Sequence, residues 1–265
     1  MLRRSLILFA MLALSAGMAF VGSDANAMAR PGPAGVNLGG PIHLVGPATQ
    51  GVGGIRHADQ STNWSGYADT SGRFTRASAS WTQPAGHCGS GQQFAAFWVG
   101  IDGFNSSTVE QTGSEVDCIG GRAEYVAWFE MFPGPSQNYS NTVRAGDHFN
   151  ATVTYNGGES FTLFIQDTTE GWSHSTNASL GSAPGLSSAE VIAEAPCCTS
   201  SGGILPLTNF GTVNFTGSTA NGEAIGTSSL GPVEINMINN SGQLKDSCSG
   251  LSGGENFSCT WIRSS

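Results

Sequence analysis

Three features of the chain predict an all-β fold of two packed antiparallel sheets. Gly, Ser, Thr and Asn are abundant, with 38 Gly in 265 residues. Turn signals recur about every ten residues, as in β-sandwiches. No long apolar stripe has helical period, so very little helix is expected.

The candidate strands follow in order. Phe94 to Ile101 ends at the turn pair Asp102-Gly103, and Glu124 to Phe132 ends at Pro133-Gly134-Pro135. Phe149 to Tyr155 and Ser160 to Ile165 flank Asn156-Gly157-Gly158, a hairpin signal. Ala189 to Ala195, Gly211 to Thr216, Val233 to Ile238 and Phe257 to Ile262 complete the set. Residues i, i+2 and i+4 of a strand share a face. Trp98, Gly100 and Asp102 therefore project together, as do Val126, Trp128 and Glu130, and Glu190, Ile192 and Glu194. Three strands presenting Trp or carboxylate side chains suggest a substrate groove on one sheet.

The first residues have the parts of an export signal: Arg3 and Arg4, an apolar run from Ser5 to Val21, and Ala25-Asn26-Ala27 as a cleavage site. Residues 1–27 are thus expected to be removed and the protein secreted. No later stretch approaches the roughly 18–20 apolar residues of a spanning helix. Residues 28–60, rich in Gly and Pro, read as a flexible propeptide or linker, and one domain is expected over 61–265.

The net charge is −9 and Lys occurs once. Such an acidic body repels nucleic acid and anionic membranes, so neither is expected as a partner, and the chain is expected to be a monomer. Six Cys in an exported chain point to disulfides, with fifteen possible pairings. Cys248 with Cys259 across a hairpin, Cys88 with Cys118, and a vicinal Cys197–Cys198 bridge are the expected set. Without C-x-x-C or His at ligand spacing, no metal and no cofactor are expected. Gly250-Leu251-Ser252-Gly253-Gly254 spells a nucleophile elbow, but no helix-forming sequence follows it.

Several remaining strings occur in a telling order: Asn63-Trp64-Ser65-Gly66-Tyr67, Trp98-Val99-Gly100-Ile101-Asp102-Gly103, Gln111-Thr112-Gly113, Ala127 to Pro133, Ala189 to Glu194, and Phe210 to Val213. Together they resemble the glutamic peptidases, or eqolisins, over most of residues 61–265. The resemblance implies a concanavalin A-like β-sandwich and an acid-active endopeptidase, made as a proenzyme and insensitive to pepstatin. It implies Gln111 as the catalytic Gln and Glu194, the last acid of its string, as the catalytic Glu, with Glu190 in the string's other acidic position. Trp98, Asp102, Trp128 and Glu130 match positions lining the family's substrate cleft. Two family residues, a Trp and a Val, are replaced here by Val191 and Ala193. After Gln111-Thr112-Gly113 the chain reads Ser114-Glu115-Val116-Asp117, which gives Glu115 the role of a family Asp.

These residue types suit amide hydrolysis. A carboxylate can take a proton from water and return it to the leaving nitrogen, and near pH 4 an ordinary Glu is poised for both. A carboxamide cannot act as base, but its NH2 can donate to the developing oxyanion. Polypeptides are the expected substrates. The alternatives keep the fold and change the ligand: a carbohydrate-binding, lectin-like module stacking sugars on Trp64, Trp98 and Trp128, or a glycosidase with two carboxylates across the groove.

Overall fold

The computed structural model describes residues 56–196 and 203–265, and the backbone of three short strands, Arg30–Pro31, Leu44–Gly46 and Thr49–Gln50. The expected export signal and the Cys197–Cys198 pair lie outside the described residues. The longer strands are β1 (Arg56–Ser61), β2 (Trp64–Asp69), β3 (Arg76–Thr82), β4 (Gln93–Ile101), β5 (Val109–Ile119), β6 (Arg122–Phe132) and β7 (His148–Gly157). They continue as β8 (Ser160–Asp167), β9 (Trp172–Ser179), β10 (Ala189–Glu194), β11 (Thr212–Ala220), β12 (Pro232–Ile238), β13 (Leu244–Cys248) and β14 (Phe257–Trp261). Among the described residues the helical content is one 3-10 turn, Ser228–Leu230, and no helix is long and apolar enough to cross a membrane.

The strands form a sandwich. One layer runs β6-β5-β4-β10-β2-β12. The other runs β14-β11-β3-β7-β8-β9. Strand β13 pairs with both β12 and β14, so hydrogen bonding continues from one layer into the other. These pairings are antiparallel, whereas β1 runs parallel to β12.

Alternation fills the space between the layers. Tyr67, Phe97, Val99 and Val191 of the first layer pack with Trp81, Phe149, Phe161 and Phe215 of the second. Trp81 stacks on Phe149 at 5.7 Å and donates its indole N–H to Ser114 Oγ of the first layer at 2.9 Å. Burying a side chain of this size contributes about 1.5–3 kcal/mol.

The layers differ on their outer faces. Strands β7 and β8 alternate buried and partly exposed residues, as expected of a sheet with one wet face. Strands β2 and β10 are buried at every position. The first layer thus carries a second apolar cluster on its outer face, including Trp64, Trp98, Trp128, Ile192 and Ile235. Both Val191 and Ala193 face the core between the layers, so the two departures from the family string lie on the side away from Glu190 and Glu194.

Two of the expected disulfides are present. Cys248–Cys259 joins directly paired residues of β13 and β14, and Cys88–Cys118 ties the loop before β4 to the end of β5. Cross-linking residues 30 apart in sequence restricts the unfolded chain and stabilises the fold by about 3–4 kcal/mol. Replacing Cys88 and Cys118 with Ser is expected to lower the unfolding free energy by that amount, as read from urea denaturation.

Candidate active site

The outer face of the first layer is a grid set by strand register. Side chains at paired positions of neighbouring strands lie side by side, about 4.8 Å apart. Ala68, Glu190, Gly100, Gln111 and Glu130 form one row. Gly66, Ile192, Trp98, Gly113 and Trp128 form the next, and Trp64, Glu194, Ala96, Glu115 and Val126 the third.

Glu190 and Gln111 therefore sit in the same row with Gly100 between them. Two strand spacings put their backbones about 10 Å apart. Gly100 contributes no side chain to the gap. A Cβ there would meet Trp98 Cζ3 at 2.8 Å and Gln111 Cβ at 3.3 Å. Glu194 lies in the third row, two strands across and four residues along from Gln111, or about 16 Å away at strand dimensions.

The polar contacts separate the two Glu further. Glu194 accepts the Trp98 indole N–H at 2.8 Å and the Asn63 side-chain amide at 3.3 Å, which holds the Trp98 ring in place. Trp98 in turn meets Trp64 edge to face at 4.9 Å. Neither carboxylate oxygen of Glu190 has a hydrogen bond of good geometry. Burial pushes its carboxyl well above the usual range, the carboxylates of Asp102, Glu110 and Asp69 add to the rise, and the Ser188 hydroxyl moderates it.

Gln111 donates its side-chain N–H to Glu130 Oε2 at 2.9 Å. A carboxamide has two N–H donors, so this contact fixes its orientation and leaves the second to point elsewhere. Glu115, on the same face of β5, lies beside Asp117. Burial first, then Asp117, pushes Glu115 well up, and burial raises Asp117 to about 7. A proton shared between the two carboxyls fits this arrangement.

Asp102 departs from simple alternation. Strand β4 ends at Ile101, and Asp102 adopts φ 70°. Its carboxylate accepts the backbone N–H of Leu186 at 2.7 Å and that of Ser187 at 2.8 Å, with the Ser187 hydroxyl at 2.9 Å. It thus anchors the loop that leads into β10 rather than standing beside Trp98 and Gly100.

Asp69 and Glu110, not among the residues to which the sequence points, pair with Ala189 and Ile101, one residue along from the Glu190 row and so on the opposite face by alternation, yet near enough for their charges to reach Glu190. Burial raises each to about 8, and for Glu110 the charge of Asp102 adds to it. Their proximity to Glu190 comes from pairing between distant segments, which no local pattern carries. Among the described residues the one group with metal-ligand spacing is Asp246, Cys248 and Cys259, and its two Cys are joined to each other.

The chain matches the peptidase A4 family over residues 62–261. Aspergillopepsin-2 of Aspergillus niger is 26% identical over 210 residues, spanning 71% of this chain and 73% of that protein. Among solved structures, scytalido-glutamic peptidase with a transition-state analogue inhibitor is similar at TM-score 0.66 and 27% identity, covering 76% of this chain and 98% of that one. SCP-B, a member of the eqolisin family in complex with the tripeptide Ala-Ile-His, is similar at TM-score 0.60 and 26% identity, with the same two coverages.

The buried carboxyls set the pH dependence of stability. Asp69 and Glu110 are raised to about 8, Asp117 to about 7 and Asp246 to about 6, in each case chiefly by burial. A group whose value rises on folding holds its proton more tightly in the folded chain. Its contribution is complete below the unfolded value, about 4, and is lost as pH climbs through the folded value. The melting temperature is expected to be highest near pH 3–4 and to fall by several degrees as pH rises to 8. Asp69→Asn is expected to flatten that fall in a calorimetric pH series; an unchanged slope would show that Asp69 is not among the groups responsible.

Proposed function

Because the chain belongs to the peptidase A4 family, it is a peptidase of the glutamic type, and we propose that Glu190 and Gln111 are the pair that hydrolyses the peptide bond. The observation that carries this reading is the shared register row, Glu190–Gly100–Gln111. A scissile peptide laid over Gly100 has a carboxyl group on one side and a carboxamide on the other.

In this mechanism Glu190, as carboxylate, removes a proton from water, and the water oxygen attacks the scissile carbonyl carbon. Gln111 donates its second N–H to the carbonyl oxygen as negative charge builds there. Glu190, now protonated, gives the proton to the leaving nitrogen, and the C–N bond breaks without a covalent enzyme intermediate. The burial that raises Glu190 holds it protonated in acid while the face is covered, so the carboxylate that starts the cycle requires the face to open to water. Glu130 keeps the Gln111 amide oriented, and Glu194 keeps Trp98 upright as a wall of the cleft. Trp128 and Glu115, on the same face, would contact flanking substrate residues. The carboxyl chemistry favours acid conditions and polypeptide substrates, and the signal-like first 27 residues favour secretion.

We further propose that residues 28–60 act as an inhibitory prosegment over this face. In the full chain Trp98, Trp128, Glu190 and Gln111 are all buried, although the second layer packs against the opposite face. Strand Arg30–Pro31 pairs with Gln137–Asn138, which in turn pairs with Phe129 and Trp128 on β6, while β1 lies beyond the other edge of the layer. The two ends of the segment thus flank the cleft. Its Arg30, Arg56, His43 and His57 oppose the acidic body in sign.

Digestion of a denatured protein at pH 3–5, with pepstatin present, tests the pair. Glu190→Gln is expected to lower kcat by roughly 10²–10⁴-fold. Gln111→Ala is expected to lower it by about 10²–10³-fold, the scale of one lost oxyanion donor. Glu194→Gln retains an acceptor for Trp98 and is expected to cost about tenfold at most. The reverse order of Glu190 and Glu194 would move the base to Glu194. For the prosegment, the full chain at pH 6 is expected to be much less active than residues 61–265, the two converging in acid; equal activity at every pH would remove the inhibitory role.

A further inference from the structure

The wall of the cleft is held from behind by residues that precede its strands. Trp64 pairs with Glu194 across β2 and β10, and the Asn63 carbonyl accepts the backbone N–H of Ala195 at 2.8 Å. Asn63 therefore lies beside the end of β10. Continued alternation would aim its side chain at the core, opposite to Trp64. The chain instead bends at residues 62–63, between β1 and β2. That bend lets the Asn63 side chain reach the outer face, where its amide nitrogen lies 3.3 Å from Glu194 Oε1.

Hydrogen-bond accounting fixes which way this amide faces. Ser61, the last residue of β1, pairs with Met237 of β12, so the sheet anchors it. Its hydroxyl oxygen accepts the backbone N–H groups of Asn63 at 3.2 Å and Trp64 at 3.1 Å. Its proton goes to the Asn63 carboxamide oxygen at 2.8 Å. That leaves the Asn63 NH2 to donate to Glu194, and an ionised carboxylate, which can only accept, suits no other orientation. The second oxygen of Glu194 takes the Trp98 indole N–H. Ser61, Asn63, Glu194 and Trp98 thus form one directional chain, and all four are buried. Trp64 closes the grip by meeting the Trp98 ring edge to face.

We propose that Asn63 is a positioning residue of the peptidase: through Glu194 it sets the Trp98 indole, and with it the shape of the cleft wall. The inference rests on the reading of this face as the substrate cleft. The chemistry of the position is specific. An Asp of the same shape would offer an acceptor where Glu194 needs a donor, and a Leu of similar size would offer nothing. In either case one of the bonds that hold the carboxylate is lost, and the indole is held less firmly for substrate.

Exchanging the two groups tests the proposal. In peptide digestion at pH 5, Asn63→Leu is expected to raise KM by about tenfold with kcat little changed, the scale of one hydrogen bond to a charged group. Asn63→Asp and Glu194→Gln are each expected to raise KM as well. Made together they reverse the bond: the new amide donates to the new carboxylate, and its oxygen still accepts the indole N–H. The exchanged pair is expected to return KM to within about twofold of the original chain, whereas independent sites would add their separate losses. The pair keeps every bond of the chain, so it carries the test even if Asn63→Leu does not fold. The indole N–H resonance of Trp98, assigned by Trp98→Phe, is expected to move in Asn63→Leu and to return in the exchanged pair. Additive losses in the pair would overturn the proposal, as would an unchanged KM in a folded Asn63→Leu. The resonance does not depend on turnover. If it behaves as expected while Glu194→Gln abolishes kcat, the positioning role stands and the Glu190 assignment alone fails.

Discussion

Strand register across the middle of the first layer is the constraint on which the rest depends. The pairing of β10 with β4 and of β4 with β5 aligns Glu190, Gly100 and Gln111. A slip of one residue in either pairing would send one of these side chains into the core between the layers. The core resists such a slip. Phe97 and Val99, one position either side of Trp98, pack inward with Val191, and their burial fixes which residues of β4 and β10 face outward. The alignment of this row is thus a by-product of apolar packing on the far side of the same strands.

Much of the fold was legible in the sequence, and the reason is chemical. Strands such as 160–167 and 257–261 carry apolar residues at period two and are bounded by turn residues, so alternation finds them. Strand β5 escaped that reading. Its run Val109–Ile119 includes Glu110, Gln111, Glu115 and Asp117, and a strand so polar resembles a loop to any argument from hydrophobicity. Yet it is buried at ten of its eleven positions, a burial its composition does not announce. Strand β9 escaped for the opposite reason, since Trp172–Ser179 is a half-exposed, largely polar edge.

The site was legible in its parts but not in its pairing. The strings containing Gln111, Trp98, Trp128, Glu130, Glu190 and Glu194 all stood out, and all six residues lie on one face of one layer. Which of the two Glu stands opposite Gln111 is a matter of how distant strands align, and spacing within a string says nothing about it. Alternation also failed at Asp102, where a positive φ ends the strand and turns the carboxylate toward the backbone of residues 186–187. In the other direction, the sequence departures at Val191 and Ala193 looked close to the chemistry and lie on the core side.

The burial of Lys245, the chain's single lysine, has a practical side. Reagents that couple to amines find few points of attachment on this molecule: the terminal α-amino group, and a side chain with 4% of its surface open. Immobilisation or dye labelling through amines would therefore spare the side chains of the sandwich, and attachment at a chosen point would need a lysine introduced on its surface.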